Sequence, residues 1–256
     1  MRWFRVTYKF VLFVLFILSY ILTSLASRLL SFDLVERRKR YVKIVSWYCG
    51  LGLKLLNFRY SVKNRPSDDQ HYLFVGNHLG FFDIFVLAAI KPSLFITSVD
   101  MRETPGLGLL TEMGGCLYVE RRNRSNIHNE LIQIREALKA GFNVVLYPEG
   151  TSTDGRQVLP FKKTLMTAVA GTGVPIMPMV INFRKANGEP MSEKYRNCVA
   201  WYGDLSFLDA LIGAFSLKSA EIEFEFCEPT HCHTEEDRRH VAEAVYKAVV
   251  SKYQPF

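Results

Sequence analysis

A histidine and an aspartate, separated by four residues, follow the first apolar segment of the chain body. His78 and Asp83 lie in the run GNHLGFFD, directly after residues 72–75. A histidine acts as a general base when a partner holds one ring nitrogen and the other nitrogen can accept a proton. Asp83 is spaced to hold the ring across a turn and to stabilise the imidazolium. Because the run contains no serine or cysteine, it predicts base catalysis without a nucleophile of its own.

The same spacing also fits a purely structural role. His78 would then cap a helix, and Asp83 would bond the backbone amides of its first turn. His231 and Glu236 nearly repeat the pattern elsewhere in the chain. The pair alone therefore leaves catalysis and capping open.

Three further clusters lie at the ends of apolar segments. Gly115 begins the run GCLYVERR, which ends in Arg121 and Arg122, and an arginine fork suits phosphate. The run YPEGTSTDG offers a carboxylate, a flexible glycine and several hydroxyls, a composition that suits a substrate site at a strand end. The run VPIMPM is apolar enough to line an acyl channel. Each cluster also fits an ordinary charged strand end, a polar turn or a core strand.

The elements that position these clusters alternate between strand and helix. Short apolar runs predict strands at 72–76, 94–98, 116–119, 143–147, 175–182, 199–202 and 221–226. Helices are predicted at 82–90, from an N-cap at Ser125 to 140, at 162–170, and from an N-cap at Thr234 onward. This alternation predicts an α/β fold around a largely parallel sheet. We place an N-terminal hydrophobic segment at 1–60 and the body at 61–256, with the boundary in the polar residues 60–70.

The basic excess of the chain is confined to its N-terminal arm. The formal net charge is +7, and residues 1–43 hold nine basic and two acidic side chains, so the remaining 213 residues are neutral overall. Residues 10–27 carry no charge, and a helix of that length spans about 27 Å, against a bilayer core of about 30 Å. Three interpretations remain: a cleaved signal peptide, a crossing helix, or a helix pair that enters one leaflet. The flanking basic clusters favour membrane association with a cytoplasmic body.

Composition excludes several classes of protein. A neutral body argues against nucleic-acid binding, and 49% hydrophobic residues argue against disorder. Five irregularly spaced cysteines argue against a disulfide framework. Cys227, His231, Cys232 and His233 do not have the spacing of a zinc site, so no metal is expected.

Taken together, in this order and spacing, the clusters resemble the glycerolipid O-acyltransferase family. The resemblance covers roughly residues 70–185 and implies that family's α/β fold, membrane association and chemistry. It implies that His78 and Asp83 are the catalytic pair and that Pro175 contributes to acyl-donor binding. The residues that it places at the substrate are Asn77, Gly115, Arg121, Glu149, Gly150 and Thr151.

The resemblance implies acyl transfer to a lysolipid hydroxyl from a thioester co-substrate, either acyl-CoA or acylated acyl carrier protein. It implies no cofactor beyond that co-substrate. The first acceptor it suggests is 1-acyl-sn-glycerol-3-phosphate. Many members specific for that lipid have arginine after the EGT triplet, whereas this chain has Ser152. Arg122, Arg156, Lys162 and Lys163 are possible substitutes. The run YPEGTSTDG is also similar to the corresponding run of relatives that acylate lyso-ornithine lipid, which has no phosphate.

Two rival hypotheses come from other classes of protein. A non-catalytic lipid-binding protein at the membrane surface would explain the basic arm and the apolar content. An exported hydrolase with a cleaved leader would explain the apolar N-terminus. Neither accounts for four polar clusters that each follow an apolar strand, so we favour the transferase.

Overall fold

The computed structural model describes residues 2–30, 33–120 and 126–256. The helices are α1 Arg2–Leu29, α2 Leu34–Leu56, α3 Phe81–Ile90, α4 Val99–Glu103, α5 Leu107–Met113, α6 Ile127–Lys139, α7 Arg196–Val199, α8 Phe207–Ser216 and α9 Arg238–Val250. The strands are β1 Phe58–Lys63, β2 Leu73–Gly76, β3 Leu94–Ser98, β4 Leu117–Val119, β5 Val144–Leu146, β6 Ile176–Ala186, β7 Glu189–Pro190 and β8 Ala220–Phe226.

The strands form one sheet in the order β1-β8-β6-β2-β5-β3-β4, and β7 pairs with β6 at one end. The ladders from β6 through β2, β5 and β3 to β4 are all parallel, and β8 pairs antiparallel with β6. The chain leaves β2 toward β3 on one side and leaves β5 toward β6 on the other. The carboxyl ends of β2 and β5 are therefore a topological switch point, where open α/β sheets bind ligands. The expected α/β fold with a largely parallel sheet is confirmed.

Alternating side chains of β2 supply two apolar layers. Phe74 packs with the cluster that includes α3 and α8, whereas Leu73 and Val75 pack with the cluster that includes α6 and α9. All four residues of β2 are buried. A strand covered on both faces must be apolar throughout, which is why these runs are continuous rather than alternating.

Some elements differ from the sequence-based expectations. The predicted strand at 199–202 is instead the end of α7 and a loop, because a short apolar run can also be a buried helix end. Residues Thr164–Val169 form a 3-10 helix within the predicted helix 162–170. The last helix has Asp237 rather than Thr234 at its N-cap position, and the Asp237 side chain makes no capping hydrogen bond to the helix. The predicted cap at Ser125 lies outside the described residues. Strand β1 was not predicted and contains residue 60, so the two predicted segments meet within a strand.

Helices α1 and α2 pack against each other and against the body. The Tyr48 hydroxyl of α2 lies 2.7 Å from the Ser19 hydroxyl and 2.8 Å from the Thr23 hydroxyl of α1. Nearer the N-terminus of α1, the ring of Phe13 packs against the ring of Phe215 in α8, with 5.5 Å between the ring centroids. The opposite side of α1 is an apolar ridge of exposed side chains: Trp3, Phe4, Phe10, Val11, Leu15, Leu18, Leu22, Leu25 and Leu29.

Lys9 attaches α1 to the ends of two other helices, α2 and α8. Its ammonium group donates hydrogen bonds to the Leu56 carbonyl at 3.0 Å and to the Leu217 carbonyl at 2.8 Å. These carbonyls lie at the C-termini of α2 and α8, where the partial negative charge of a helix favours a cation. Lys9 is only 3% exposed, so water does not replace these bonds.

Replacement of Lys9 by alanine is expected to loosen α1 from the body. Each lost bond from a charged donor costs roughly 1.5–3 kcal/mol, and two buried carbonyls lose their partner. Thermal unfolding of the purified protein in lipid should show a lower Tm for Lys9→Ala than for Lys43→Ala, which removes an exposed lysine of α2. Equal Tm values for the two variants would contradict this role.

Candidate active site

The carboxyl ends of β2 and β5 bring together His78, Asp83 and Glu149. His78 follows β2 by two residues, and Asp83 lies in the first turn of α3. The His78 Nδ1 atom lies 2.8 Å from Asp83 Oδ2. The imidazole is partly exposed at 18%, whereas the Asp83 side chain is 1% exposed. With Nδ1 held by the carboxylate, Nε2 is the nitrogen left for proton transfer.

Asp83 also organises the backbone of its own loop. Its Oδ2 atom accepts hydrogen bonds from the backbone N–H groups of Leu79 and Gly80, the latter at 3.0 Å. The capping role and the histidine-holding role that the spacing left open are therefore both present in one carboxylate. The bonds fix the position of Asp83, and through it the orientation of the His78 ring.

Tyr147, at the end of β5, forms one wall of the site. Its ring stacks on the His78 imidazole, with centroids 4.1 Å apart and an interplanar angle of 10°. Burial, and then the charge of Asp83, raise the pKa of the Tyr147 phenol well above its ordinary value. A neutral phenol stacked on the imidazole restricts rotation of that ring, so Tyr147 is a positioning residue that the sequence interpretation missed.

Glu149 ties the two strand ends together. Its Oε1 atom accepts the backbone N–H of His78 at 2.7 Å, and its Oε2 atom accepts the backbone N–H of Leu159 at 2.6 Å. The side chain is buried, with 4% exposed. Both carboxylate oxygens are thus engaged by the protein itself. The structure shows Glu149 as a support of the His78 backbone, and its expected contact with the substrate stays a prediction.

Glu149 gives the fold a specific pH dependence. Burial raises its pKa to about 7 from an ordinary value of 4.5, although the two backbone bonds oppose the shift. The folded state therefore holds a proton that the unfolded chain loses between about pH 4.5 and 7. Stability falls as pH rises through this window, by an amount on the order of 3 kcal/mol at 1.36 kcal/mol per pKa unit.

A Glu149→Gln variant should lack that pH dependence. We expect the Tm difference between the wild-type protein and Glu149→Gln to be most favourable to the wild type near pH 5 and to shrink toward pH 8. Glu103→Gln, which changes an exposed carboxylate, should show no such trend. A Tm difference that is flat with pH, or that grows in favour of the wild type as pH rises, would contradict a buried carboxyl group that titrates near pH 7.

Asn77 and Gly115, both expected near the substrate, are engaged in packing. The Asn77 amide donates to the Ile181 carbonyl at 3.1 Å and accepts the Ile181 N–H at 3.0 Å, so it links the end of β2 to β6. Gly115 has a φ of +73°, and a Cβ there would lie 3.3 Å from Leu94 and 3.6 Å from Arg38 of α2. Both residues therefore have structural roles beside the site, and their expected substrate contacts stay predictions.

Gly150 and Thr151 lie at the edge of the site. The Gly150 N–H donates to the Tyr147 carbonyl at 3.2 Å, which closes a turn. Thr151 is exposed, and its hydroxyl donates to the Ser152 carbonyl at 3.3 Å. Thr151 is thus accessible to a ligand, whereas the Gly150 amide is used by the fold, and the expected substrate contacts of both residues stay predictions.

Pro175 is not placed beside His78. Pro175 precedes β6, which runs parallel to β2, and its carbonyl accepts the N–H of Leu73 at the start of β2. That end of the sheet is opposite to the end that carries His78, so the structure gives Pro175 no contact with the catalytic pair. Arg121 lies outside the described residues.

A loop around Trp201 holds the His78 loop from the other side. The Trp201 N–H donates to the Leu79 carbonyl at 2.8 Å, and the Ser152 hydroxyl donates to the Trp201 carbonyl. Thr153 donates its N–H to the His78 carbonyl at 2.9 Å. These bonds join residues 49 to 122 positions apart, and no local pattern in the sequence predicts them.

The C-terminal residues complete the support of the YPEGTSTDG run. The Tyr253 hydroxyl donates to the Gly155 carbonyl at 2.7 Å, and the Phe256 N–H donates to the same carbonyl at 3.1 Å. Arg196 in turn donates to the Phe256 carbonyl at 3.1 Å. The contacts fix the far end of the loop that begins at Glu149.

Within residues 2–30, 33–120 and 126–256, no group of three or more His, Cys, Asp and Glu side chains is placed to hold a metal ion. The chemistry available at the site is proton transfer at His78 Nε2, beside a buried carboxylate that stabilises the charged ring. Such a site can remove the proton of a hydroxyl as that hydroxyl attacks a carbonyl. Serine and threonine side chains of the neighbouring loop are bonded to backbone, as Ser152 and Thr153 illustrate.

Comparison with known proteins points to one family. Residues 57–182 match the sequence profile of a family described as Acyltransferase. The chain is 29% identical over 214 residues to lyso-ornithine lipid O-acyltransferase of Brucella abortus, covering 81% of this chain and 80% of the relative. It is 31% identical over 209 residues to the enzyme of the same name from Rhodobacter capsulatus, covering 79% and 73%.

Other relatives carry a different acceptor in their names. The chain is 24% identical over 184 residues to 1-acyl-sn-glycerol-3-phosphate acyltransferase of Neisseria gonorrhoeae, covering 72% of this chain and 70% of the relative. Its fold is similar to the crystal structure of the 1-acyl-sn-glycerophosphate acyltransferase of Thermotoga maritima, with a TM-score of 0.68, 22% identity and coverage of 98% and 97%.

Proposed function

Because the chain belongs to the acyltransferase family that includes these lysolipid acyltransferases, we propose that His78 is the general base of acyl transfer to a lysolipid hydroxyl. The observation that carries the proposal is the 2.8 Å contact between His78 Nδ1 and buried Asp83 at the switch point of the sheet. The contact leaves Nε2 at a partly exposed position where a substrate hydroxyl can reach it. The acyl donor is acyl-CoA or the acylated form of acyl carrier protein.

The proposed reaction is a single displacement. His78 Nε2 takes the hydroxyl proton as the acceptor oxygen attacks the thioester carbonyl carbon. The new carbon–oxygen bond forms, the carbon–sulfur bond breaks, and the proton on His78 passes to the leaving thiolate. Asp83 stabilises the imidazolium between these steps. Glu149, Thr153 and Trp201 hold the backbone that carries His78.

The environment of Ser152 favours lyso-ornithine lipid as the preferred acceptor. Its hydroxyl is bonded to the Trp201 carbonyl, so this position supplies no cation for a phosphate. Relatives named for lyso-ornithine lipid include the Rhodobacter capsulatus enzyme, which is 31% identical. 1-Acyl-sn-glycerol-3-phosphate, the first choice from the sequence resemblance, is the second candidate, because the exposed cation of Lys162 lies beside Gly150.

A panel of acceptors tests this choice. Purified protein is incubated with a labelled acyl thioester and, separately, lyso-ornithine lipid and lysophosphatidate, and initial rates are compared at equal surface concentration. We expect a higher kcat/KM with lyso-ornithine lipid. A higher kcat/KM with lysophosphatidate would reverse the order of the two acceptors and leave the transferase chemistry in place.

The N-terminus is consistent with membrane association, since α1 is long and apolar enough to cross a bilayer. We infer that α1 enters one leaflet and leaves the body on the cytoplasmic side. The body contacts α1 at Lys9 and again at Tyr20, whose hydroxyl donates to the Leu110 carbonyl of α5 at 3.4 Å. These contacts are about 16 Å apart along the helix at 1.5 Å per residue. Because the body is bound along this length of α1, a helix that crossed the bilayer would draw the polar body into the hydrocarbon core, which is about 30 Å thick.

Labelling from one side of the membrane tests the inference. Arg2→Cys and Lys39→Cys place thiols at exposed positions on either side of the apolar segment. With an impermeant maleimide and sealed vesicles of known orientation, both should react from the cytoplasmic side only. The unsubstituted chain measures the background from the native cysteines. Reaction of the two positions from opposite sides would establish a crossing helix.

A further inference from the structure

We propose that Lys162 binds the acidic head group of the acceptor, a phosphate or a carboxylate. The inference rests on the proposed function, because it names the group that positions the acceptor for attack. A lysine ammonium group offers three donors and a full positive charge, which suit either anion. Lysophosphatidate carries a phosphate and lyso-ornithine lipid carries a carboxylate, so both candidate acceptors present the required chemistry.

The side chain of Lys162 lies over Gly150. The Lys162 backbone N–H donates to the Pro148 carbonyl at 2.9 Å, which fixes the residue opposite the turn. A Cβ atom built on Gly150 would lie 2.3 Å from Lys162 Nζ and 3.1 Å from Cε. The ammonium group therefore occupies the space that any side chain at position 150 would take. Gly150 also has a φ of +77°, which favours glycine.

This position connects the cation to the catalytic histidine. Gly150 directly follows Glu149, whose carboxylate accepts the His78 N–H at 2.7 Å. Tyr147, which opens the same turn, stacks on the His78 ring. The ammonium group thus lies on the turn that holds His78. An acceptor bound through its acid at Lys162 would therefore lie beside the turn that packs on the imidazole.

Two arginines around this loop are engaged by the protein. Arg156 contacts Asp154 at 3.5 Å and Glu193 at 3.3 Å. Arg196 contacts Glu193 at 2.7 Å. Lys162 is exposed and forms no ion pair with any residue of the described part of the chain. Since Ser152 supplies no charge, Lys162 is a cation of this loop that remains available for a ligand.

Binding and turnover of three acceptors test the assignment. Lysophosphatidate, lyso-ornithine lipid and neutral 1-acylglycerol are compared for Lys162→Gln and for Lys163→Gln, a neighbouring exposed lysine. Loss of a charge-assisted hydrogen bond should raise KM for the acidic acceptor about 10- to 100-fold, with kcat nearly unchanged. The neutral acceptor should be unaffected, Lys163→Gln should match the wild type, and Lys162→Arg should recover part of the affinity. The acidic acceptor whose KM rises in Lys162→Gln identifies the head group that Lys162 binds.

Equilibrium binding separates this proposal from the proposed function. Binding is measured in the slow His78→Ala background without an acyl donor, so that no transfer takes place, and adding Lys162→Gln should weaken binding of the acidic lysolipid by the same 10- to 100-fold. If the wild type transfers to none of the acceptors but binding depends on Lys162, the proposed function fails and this inference stands. The inference would be overturned if Lys162→Gln and Lys163→Gln had the same affinity and KM for the acidic acceptor. It would also be overturned if Lys162→Gln lost as much affinity for neutral 1-acylglycerol as for the acidic acceptor.

Discussion

Replacement of His78 by alanine is expected to reduce acyl transfer by roughly 10²–10⁴-fold while leaving the fold intact. The rate falls because the acceptor hydroxyl then loses the group that takes its proton. The fold survives because the imidazole is 18% exposed and the loop backbone is held by bonds that alanine keeps. Those bonds run from the His78 N–H to Glu149 and from the Thr153 N–H to the His78 carbonyl.

The measurement is the initial rate of labelled ester formation, with Tm recorded for both proteins. His128→Ala, on α6, is the matched control, because it removes an exposed histidine far along the chain from the catalytic pair. It should keep wild-type turnover. A His78→Ala protein with wild-type turnover would exclude His78 as the base.

Replacement of Asp83 by asparagine is expected to approach the loss seen for His78→Ala. Asparagine keeps the size of the side chain but removes the charge that stabilises the imidazolium. Its amide oxygen can take the place of Oδ2, on which His78 Nδ1, the Leu79 N–H and the Gly80 N–H converge, and its NH₂ group takes the buried position of Oδ1. Because Asp83 is buried, some loss of stability should accompany the loss of rate.

A double-variant cycle distinguishes catalysis from a stability effect. If His78 and Asp83 act as one unit, the double variant His78→Ala with Asp83→Asn should be no slower than His78→Ala alone. If Asp83 only maintains the fold, the two losses should multiply. Rates are to be compared at a temperature well below the lowest Tm of the set, so that every variant is folded.

The strands that carry the site were predictable from short apolar runs followed by polar residues. Residues 94–98 were predicted as a strand with the bounds that β3 has, and β2 and β5 were each placed to within one residue at either end. A strand buried on both faces leaves a continuous apolar run that is readable without an alignment. The polar residues after β2 and β5 meet because parallel neighbours end at the same edge of the sheet.

The parts that were missed depend on contacts distant in sequence. Strand β1 reads as mixed polar and apolar, and it is stabilised by pairing with β8, from Phe58 with Ala220 onward. The run at 199–202 has strand-like composition, yet Trp201 bonds the Leu79 carbonyl in a loop. Neither pairing leaves a local periodicity, so both become visible only in the folded chain.

Residue roles were harder to predict than residue positions. Glu149 and Asn77 do lie beside His78, as expected, but their side chains bond the backbone of His78 and of Ile181. A buried polar side chain needs hydrogen-bond partners, and here the backbone of neighbouring strand ends supplies them. Lys162 stood among several possible substitutes for a missing arginine, and its position over Gly150 singles it out.

The central claim is that this site transfers an acyl group to a lipid hydroxyl, and product analysis tests it most directly. Purified protein is given a labelled acyl thioester and a lysolipid, and mass spectrometry follows the free thiol and the labelled lipid ester together. The account predicts one mole of ester for each mole of thiol released. Thiol release with free fatty acid as the product would indicate a hydrolase, and lipid binding with no thiol release would indicate a binding protein. Either result would contradict the account.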